Sequence, residues 1–182
     1  EASTPDHVQR EVFRLLPVIE ELGPQVRLPL IDICLPALRV IADGQYRELR
    51  RNVQALVEAD GQVDLFEFTL QRVLFRYLDR KFDEIPAPTT RYYSLLGVVD
   101  ECTALISALA YVGSDDDSEI ATAFASGVPL LELKEPIELL PRENCGIDTI
   151  DHALDELQYI APKHKRSLLN ACAATVAADG VI

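Results

Sequence analysis

An acidic turn in the first half of the chain carries the residues best suited to binding a cation. Asp60, Gly61, Asp64 and Glu67 follow the spacing Asp-Gly-x-Val-Asp-x-x-Glu. This spacing matches positions five to twelve of an EF-hand loop, in which carboxylate oxygens bind a divalent cation. The first loop position falls on Leu56, which has no oxygen ligand. The hypothesis is therefore a weak divalent site formed by Asp60, Asp64 and Glu67.

The same residues also suit a structural corner between two helices. Gly61 follows a helical run, and glycine readily adopts the left-handed backbone conformation that ends a helix. Asp64 is placed as the N-cap of the next helix, and Glu67 three residues later completes an Asp-led capping box. A cation site and a helix–turn–helix corner are thus two alternative interpretations of one turn.

A histidine near the C-terminus gives a separate cation hypothesis. His152 has Asp148, Asp155 and Glu156 one helical turn away, so these side chains share one face of a predicted helix. A single His is a poor anchor for a transition metal, and exposed ion pairs use the same spacing. We interpret this face as ion pairing, with a metal site as the alternative. The acidic run at 115–119 is interpreted as the cap of a helix N-terminus, which favours negative charge.

The composition indicates a globular protein that does not bind nucleic acid. Of 182 residues, 48% are hydrophobic and 26% are charged, as in a folded domain. The net charge is -13, whereas phosphate contacts need clustered Lys and Arg. The four cysteines form no CxxC pair, which predicts free thiols in a reducing environment. A free-standing hydrolase is disfavoured, since the sequence has no phosphate-binding loop and no nucleophile elbow.

Apolar residues recur at helical spacing along the chain, and no segment alternates as a strand does, which predicts an all-α fold. The apolar stretch 28–41 is predicted to be the central buried helix, with Asp32 at a surface-facing edge. The uncharged stretch 102–114 is predicted to be a second buried helix, because it is shorter than the roughly 20 residues that span a bilayer. This stretch belongs to a helical run predicted at 91–112, and further helices are predicted at 46–59, 64–82, 148–160 and from 162 onward.

Two parts of the chain are similar to each other when the sequence is shifted by 119 residues. The turn Asp60-Gly61 then aligns with Asp179-Gly180. Apolar matches at helical spacing cover two successive helices, which predicts a helical bundle built from a duplicated unit. The aligned apolar pairs are Ile31 with Ile150, Leu35 with Leu154, Leu38 with Leu157, Ile41 with Ile160 and Leu49 with Leu168.

Several motifs of these helices resemble a known bacterial region. They are Leu28-Pro29-Leu30-Ile31-Asp32, Leu35-Pro36-Ala37-Leu38, residues 59–68, Leu140-Pro141-Arg142 and residues 177–180. From residue 28 onward, the chain resembles the C-terminal TerB-like (tellurite-resistance-B-like) helical region of membrane-bound zinc metallopeptidases of the CAAX-protease-like class. The resemblance implies a parent protein with transmembrane helices and a His-Glu-x-x-His zinc site upstream. That motif does not occur in this sequence, so no catalytic residue is assigned here.

By this resemblance, the chain is expected to be a non-catalytic accessory or regulatory domain of a membrane zinc metalloendopeptidase. It acts through contacts with a protein partner or with the protease domain of the same chain, at the cytoplasmic face of the bacterial inner membrane. Zinc is expected in the catalytic domain of the parent, with no cofactor and no membrane span in this segment. A TerB-like divalent-metal-binding or sensing module is the alternative. The expected parts are an N-terminal helical segment 1–27, a first TerB-like unit 28–82, connecting helices and loop 83–147, and a second, truncated unit 148–182.

Overall fold

The computed structural model describes residues 6–23, 26–57, 65–83 and 85–178 of the chain. Within these ranges the chain forms eight α-helices and no β-strand, which confirms the predicted all-α class. It divides into two compact units, residues 1–87 and 88–182, called unit 1 and unit 2 below. The helices are α1 Asp6–Glu21, α2 Arg27–Leu38, α3 Asp43–Val57 and α4 Leu65–Phe82 in unit 1, and α5 Val99–Gly113, α6 Asp117–Gly127, α7 Ile147–Leu157 and α8 Pro162–Ala177 in unit 2.

Unit 1 is organised around α4, which contacts both α2 and α3. Its core is small, with Leu35, Tyr46 and Leu78 buried together. The first helix, α1, contributes no buried residue. The partly buried apolar residues that pack against this core are Ile31, Leu38, Ile41, Leu49, Leu74 and Phe82.

The prediction that 28–41 forms the central buried helix is wrong. α2 covers most of this stretch, but Leu35 is the only buried residue that it contributes and Ile33 is 73% exposed. A helix that is buried all round needs neighbours on every side, whereas α2 packs mainly against α4. Asp32 is exposed, as predicted.

Unit 2 has the larger core, with α5 at its centre. α5 contacts α6, α7 and α8, which confirms the predicted buried helix at 102–114. Most of its buried side chains are small, so the neighbouring helices can pack closely around it. They are Cys102, Thr103, Ala104, Ile106, Ser107, Ala108 and Ala110.

The helical segment Leu95–Gly113 is long and apolar enough to cross a membrane by length and composition alone. It has 19 residues, a mean hydropathy of 1.7 over its most apolar window, and 50% of that window is buried inside the protein. The segment is longer than the predicted stretch 102–114, because a 3₁₀ turn at Leu95–Val98 precedes α5 directly. Its burial is that of a core helix, which satisfies the same test of length and composition.

α6 and α8 cross so closely that their contact requires a glycine. A Cβ atom added at Gly127 would lie 2.1 Å from the Thr175 Oγ1 atom and 2.8 Å from the Ala171 carbonyl oxygen. Thr175 is buried, and its hydroxyl donates a 3.0 Å hydrogen bond to that same carbonyl oxygen. Since neither the hydroxyl nor the backbone carbonyl can move freely, any side chain at position 127 must push the two helices apart.

The helix bounds of the two similar regions follow the 119-residue shift. Adding 119 to the bounds of α2 and α3 gives 146–157 and 162–176, beside Ile147–Leu157 for α7 and Pro162–Ala177 for α8. The packing differs, because α2 and α3 contact the helix that follows them, whereas α7 and α8 contact α5, which precedes them. Duplication of a TerB-like unit stays a prediction, and so do the four predicted parts of the chain.

Candidate functional site

The predicted cation turn lies mostly outside the described part of the chain. Residues 58–64, which include Asp60 and Asp64, are not among the described residues. Glu67 is described: it lies in the first turn of α4 and is half-buried. The divalent site at Asp60, Asp64 and Glu67 therefore stays a prediction, as does the structural corner.

Beside Glu67, the helices α2, α3 and α4 form an apolar groove of about 230 Å³, called the unit 1 groove below. Leu56 in this groove is 73% exposed, although its spacing from Leu49 and Val53 is that of an apolar helix face. Glu67 and Gln71 are the polar residues of the lining, and Gln71 donates a 2.7 Å hydrogen bond to Gln54 on α3. The apolar lining residues are Ile31, Val53, Leu56, Leu70 and Leu74.

A second feature of unit 1 joins α3 to α4 through three polar side chains, called the unit 1 triad. The Tyr46 hydroxyl donates to the Asp79 carboxylate, and the Arg50 guanidinium donates to the same carboxylate oxygen. Arg50 also donates a 3.0 Å hydrogen bond to the Tyr46 hydroxyl oxygen. Tyr46 is only 3% exposed, and the Asp79 side chain is 20% exposed. The triad therefore places charged groups at the edge of the small core.

Aromatic rings pack against this triad, and its tyrosine and arginine are held in their protonated forms. The Tyr46 ring stacks on Phe82 at 4.4 Å between centroids, and the Arg50 guanidinium lies 4.6 Å from the centre of the Phe75 ring. Burial, followed by the hydrogen bond to Asp79, raises the pKa of Tyr46 to about 12, and the hydrogen bond to Asp79 raises the pKa of Arg50. Both side chains keep their protons at neutral pH. The triad is suited to holding α3 against α4 and not to proton transfer.

Unit 2 contains the same three chemical groups at its surface, called the unit 2 triad. The Tyr92 hydroxyl donates a 2.6 Å hydrogen bond to Glu156, and the Arg91 guanidinium donates a 3.3 Å bond to the same oxygen. The hydrogen bond to Glu156 raises the pKa of Tyr92. Arg91 also lies 4.3 Å from the centre of the Tyr159 ring. The Arg91 side chain is 55% exposed, so water screens this ion pair.

Backbone hydrogen bonds support the unit 2 triad. The Arg91 and Tyr92 amides donate to the Tyr159 carbonyl oxygen at 2.8 and 3.1 Å, and the Ala161 amide donates to the Tyr92 carbonyl oxygen at 2.9 Å. These bonds form a short parallel bridge between Tyr92 and Ile160. The bridge attaches the segment that precedes α5 to the connection between α7 and α8.

The predicted metal alternative at His152 finds no support in the structure. His152 is exposed, and Glu156 on the same helix face is engaged by Tyr92 and Arg91. Across the described residues, no group of three or more His, Cys, Asp or Glu side chains is placed to hold a metal ion. On this face, Glu156 forms an ion pair with Arg91, which precedes α5 and does not belong to the helix of His152.

The acidic run at 115–119 caps a helix, as predicted. Asp116 is the N-cap of α6, and its Oδ1 atom accepts hydrogen bonds from the backbone amides of Ser118 at 2.9 Å and Glu119 at 3.1 Å. The hydrogen bond from the Ser118 hydroxyl, with those from the amides, lowers the pKa of Asp116. These carboxylates therefore complete the helix end and do not form a ligand cluster.

The cysteine thiols in the core of unit 2 are held in their protonated form. Burial raises the pKa of Cys102 to about 12 and the pKa of Cys172 to about 11. Since the thiolate is the nucleophile, both cysteines behave as small apolar residues.

Sequence periodicity missed the unit 1 triad. It placed Arg50 on the polar face of α3 and Tyr46 on the apolar face, although residues four apart lie on the same side of a helix. That spacing is the one signal that could have joined Tyr46 to Arg50. Asp79 lies 29 residues beyond Arg50 on another helix, so its part in the triad depends on how α3 packs against α4.

No protein-family model matches the chain, and no curated protein and no solved structure matches it either. The likeness to the TerB-like region therefore rests on the sequence motifs alone.

Proposed function

We propose that this chain is a non-catalytic accessory domain of a membrane zinc metalloendopeptidase, and that it binds an amphipathic helix of a protein partner in the unit 1 groove. The motif resemblance supports the connection to a metallopeptidase. The unit 1 groove supports the binding role and is the observation on which this role rests.

Apolar side chains that face water in a concave site favour a binding partner. Leu56 is 73% exposed beside the half-buried Leu70 and Leu74, so water contacts apolar surface at the groove. Removing such surface from water contributes about 25 cal/mol per Å². A groove between helices accepts the apolar face of a further helix, whose anchoring side chains recur at i, i+3 or i+4, and i+7. The volume of about 230 Å³ accommodates a few such anchors.

Charge indicates which kind of helix fits the groove. Among the described residues that line the groove, Glu67 is the one with a charge, and the chain as a whole carries a net charge of -13. A partner helix with Lys or Arg beside its apolar anchors is attracted to this surface, whereas an acidic helix is repelled. The occupant is therefore a basic amphipathic helix, contributed by a protein partner or by the protease domain.

A labelled model peptide tests the binding role directly. The probe is a synthetic amphipathic helix with Leu anchors at i, i+4 and i+7 and flanking Lys residues, and fluorescence anisotropy measures its affinity. We expect saturable binding that Leu56→Lys weakens at least about tenfold, which corresponds to about 1.4 kcal/mol. The matched control is Ile33→Lys, because Ile33 is also 73% exposed in unit 1 but does not line the groove. Equal losses in both variants, or no binding at all, would refute the role of the groove.

Calorimetric titration with Ca²⁺, Mg²⁺ and Zn²⁺ separates the metal-sensing alternative from the binding role. Glu67 belongs both to the predicted cation site and to the groove lining, so Asp64→Asn is the better variant for this test. Heat that disappears in Asp64→Asn, together with unchanged peptide binding, would favour the sensing module.

The coding sequence upstream of this segment tests the connection to a metallopeptidase. We expect a His-Glu-x-x-His motif flanked by apolar spans in the parent gene. A parent gene without that motif would leave a helical binding module and would remove the protease from the proposal.

A further inference from the structure

The first helix carries a stripe of apolar residues that the described residues of unit 1 do not bury. None of the 16 residues of α1 is buried. Val8 is 38% exposed, Val12 52%, Leu15 39% and Ile19 40%. Exposure of several apolar side chains along one helix is unfavourable in water and marks an interaction surface.

The spacing of this stripe is that of a coiled coil. Val8, Val12, Leu15 and Ile19 follow one another at intervals of four, three and four residues, which is the alternation of heptad positions a and d. Val12 and Ile19 then occupy a, and Val8 and Leu15 occupy d. In parallel coiled coils, β-branched residues at a with Leu at d favour two strands, and Leu15 meets this pattern at one of the two d positions.

The flanking positions agree with pairing of identical helices. Gln9 and Leu16 fall at heptad position e, and Glu11 and Val18 fall at g. In a parallel pair, g faces the following e of the partner helix, so Glu11 meets Leu16 and no like charges are opposed. Glu11 is also paired at 2.5 Å with Arg14, which lies on the outer side of the helix. Pro17 falls at the outward position f and does not enter the seam.

The charge of α1 distinguishes a second copy from a lipid surface. Helices that lie on membranes carry Lys and Arg on their polar face, whereas α1 has four acidic and two basic residues. Such a helix is not attracted to anionic lipids. The acidic residues are Asp6, Glu11, Glu20 and Glu21, and the basic residues are Arg10 and Arg14.

From the exposed stripe, the heptad spacing and this charge pattern, we infer that α1 pairs with α1 of a second copy of the chain in a parallel two-stranded coiled coil. The seam consists of Val8, Val12, Leu15 and Ile19 from each copy. The two copies then present two unit 1 grooves, but the pairing itself does not depend on what those grooves bind.

Sedimentation equilibrium of the full chain over a wide concentration range tests the pairing. We expect the weight-average mass to rise from that of one chain to that of two and no further. Val12→Lys and Ile19→Lys are each expected to lower the association constant at least about tenfold, since they place a charge in the seam. Far-UV circular dichroism checks that the exposed substitutions leave the helices intact. A single-chain mass at every concentration, or a mass above two chains, would overturn the pairing.

Phe13 provides the matched control. It is more exposed than Val12 or Ile19 but falls at the outward position b. Phe13→Lys is therefore expected to change the association constant less than about threefold. If it acts as strongly as Val12→Lys, association is general hydrophobic aggregation and the seam is wrong. If the wild-type chain binds phosphatidylcholine vesicles in a flotation assay, the partner of α1 is a lipid surface and the proposed pairing is wrong.

Oxidative cross-linking tests the orientation. In a parallel pair the two Val8 side chains face each other, so Val8→Cys is expected to form a disulfide-linked dimer much faster than Phe13→Cys. The wild-type chain, which has four cysteines of its own, measures the background. Equal rates for the two variants would exclude the parallel arrangement.

Discussion

The two units use the same three chemical groups, but the tyrosine lies deeper in unit 1 than in unit 2. Each contains a tyrosine hydroxyl and an arginine guanidinium that share one carboxylate oxygen. In unit 1 the tyrosine is 3% exposed, and its triad connects two helices around a core with few buried residues. In unit 2 the triad lies at the surface of an extensive apolar core and adds to a backbone bridge.

This difference indicates that unit 1 depends on its polar triad, whereas unit 2 depends on close packing. When a buried hydroxyl loses its acceptor, the desolvation of that hydroxyl is no longer compensated and the protein loses about 1–3 kcal/mol of stability. An exposed ion pair contributes about 0–1 kcal/mol, because water screens it and its side chains lose freedom. The same substitution is therefore expected to have different effects in the two units. Native-state hydrogen exchange follows the amides of each unit separately.

The largest effect is expected at the closest helix crossing of unit 2. Gly127→Ala places a Cβ atom 2.1 Å from the Thr175 Oγ1 atom and 2.8 Å from a backbone oxygen. We expect it to lower the stability of unit 2 by about 3 kcal/mol or more, since the two helices must separate. The control is Gly44→Ala in α3, where a Cβ atom meets nothing within 4 Å. Comparable losses at the two positions would show that unit 2 is not the more closely packed unit.

The next effect is expected from removal of the unit 1 carboxylate. Asp79→Ala leaves the buried Tyr46 hydroxyl without its acceptor and the Arg50 guanidinium without its ion-pair partner. We expect a loss of about 2 kcal/mol, measured by exchange of the α3 and α4 amides. A loss below about 0.5 kcal/mol would mean that the apolar contacts of α4 alone hold unit 1 together.

The stability of unit 1 is expected to depend on pH through the Tyr46 hydroxyl. Because burial and the hydrogen bond to Asp79 raise the pKa of Tyr46 from 10.0 to about 12, the folded form binds the phenolic proton more tightly than the unfolded form. This contribution is complete below pH 10 and is lost as the pH rises through about 12. Denaturant unfolding is expected to show a loss of about 1 kcal/mol from this hydroxyl by about pH 11. Burial also raises the pKa of Cys102 and Cys172 in unit 2, so the loss is measured as the difference between the wild-type chain and Tyr46→Phe. An equal loss in the two proteins would assign it to other groups.

The smallest effect is expected at the unit 2 triad. Glu156→Ala removes the acceptor of Tyr92 and Arg91, but Tyr92 is only half-buried, unlike Tyr46, and the backbone bridge remains. We expect a loss below about 1 kcal/mol that shrinks further at high salt. A loss as large as that of Asp79→Ala would remove the proposed difference between the two triads.

The predicted all-α class and the buried helix at 102–114 follow from composition and spacing, because such signals are local. Burial of α2 could not be predicted in this way. Its sequence is apolar all round, and only the arrangement of the other helices determines which of its faces are covered. The groove was missed for the same reason, since Leu56 shows the spacing of a core residue but is 73% exposed. Asp60 and Asp64 lie outside the described residues, so the cation hypothesis rests on sequence spacing alone.

The short bridge between Tyr92 and Ile160 also constrains the order in which unit 2 can fold. Its two partners lie 68 positions apart in the sequence. Closing a loop of that length costs more chain entropy than forming the turns within α5 to α8. We therefore expect the bridge to close late. During synthesis, Tyr92 cannot form its backbone hydrogen bonds until the connection between α7 and α8 has been synthesised.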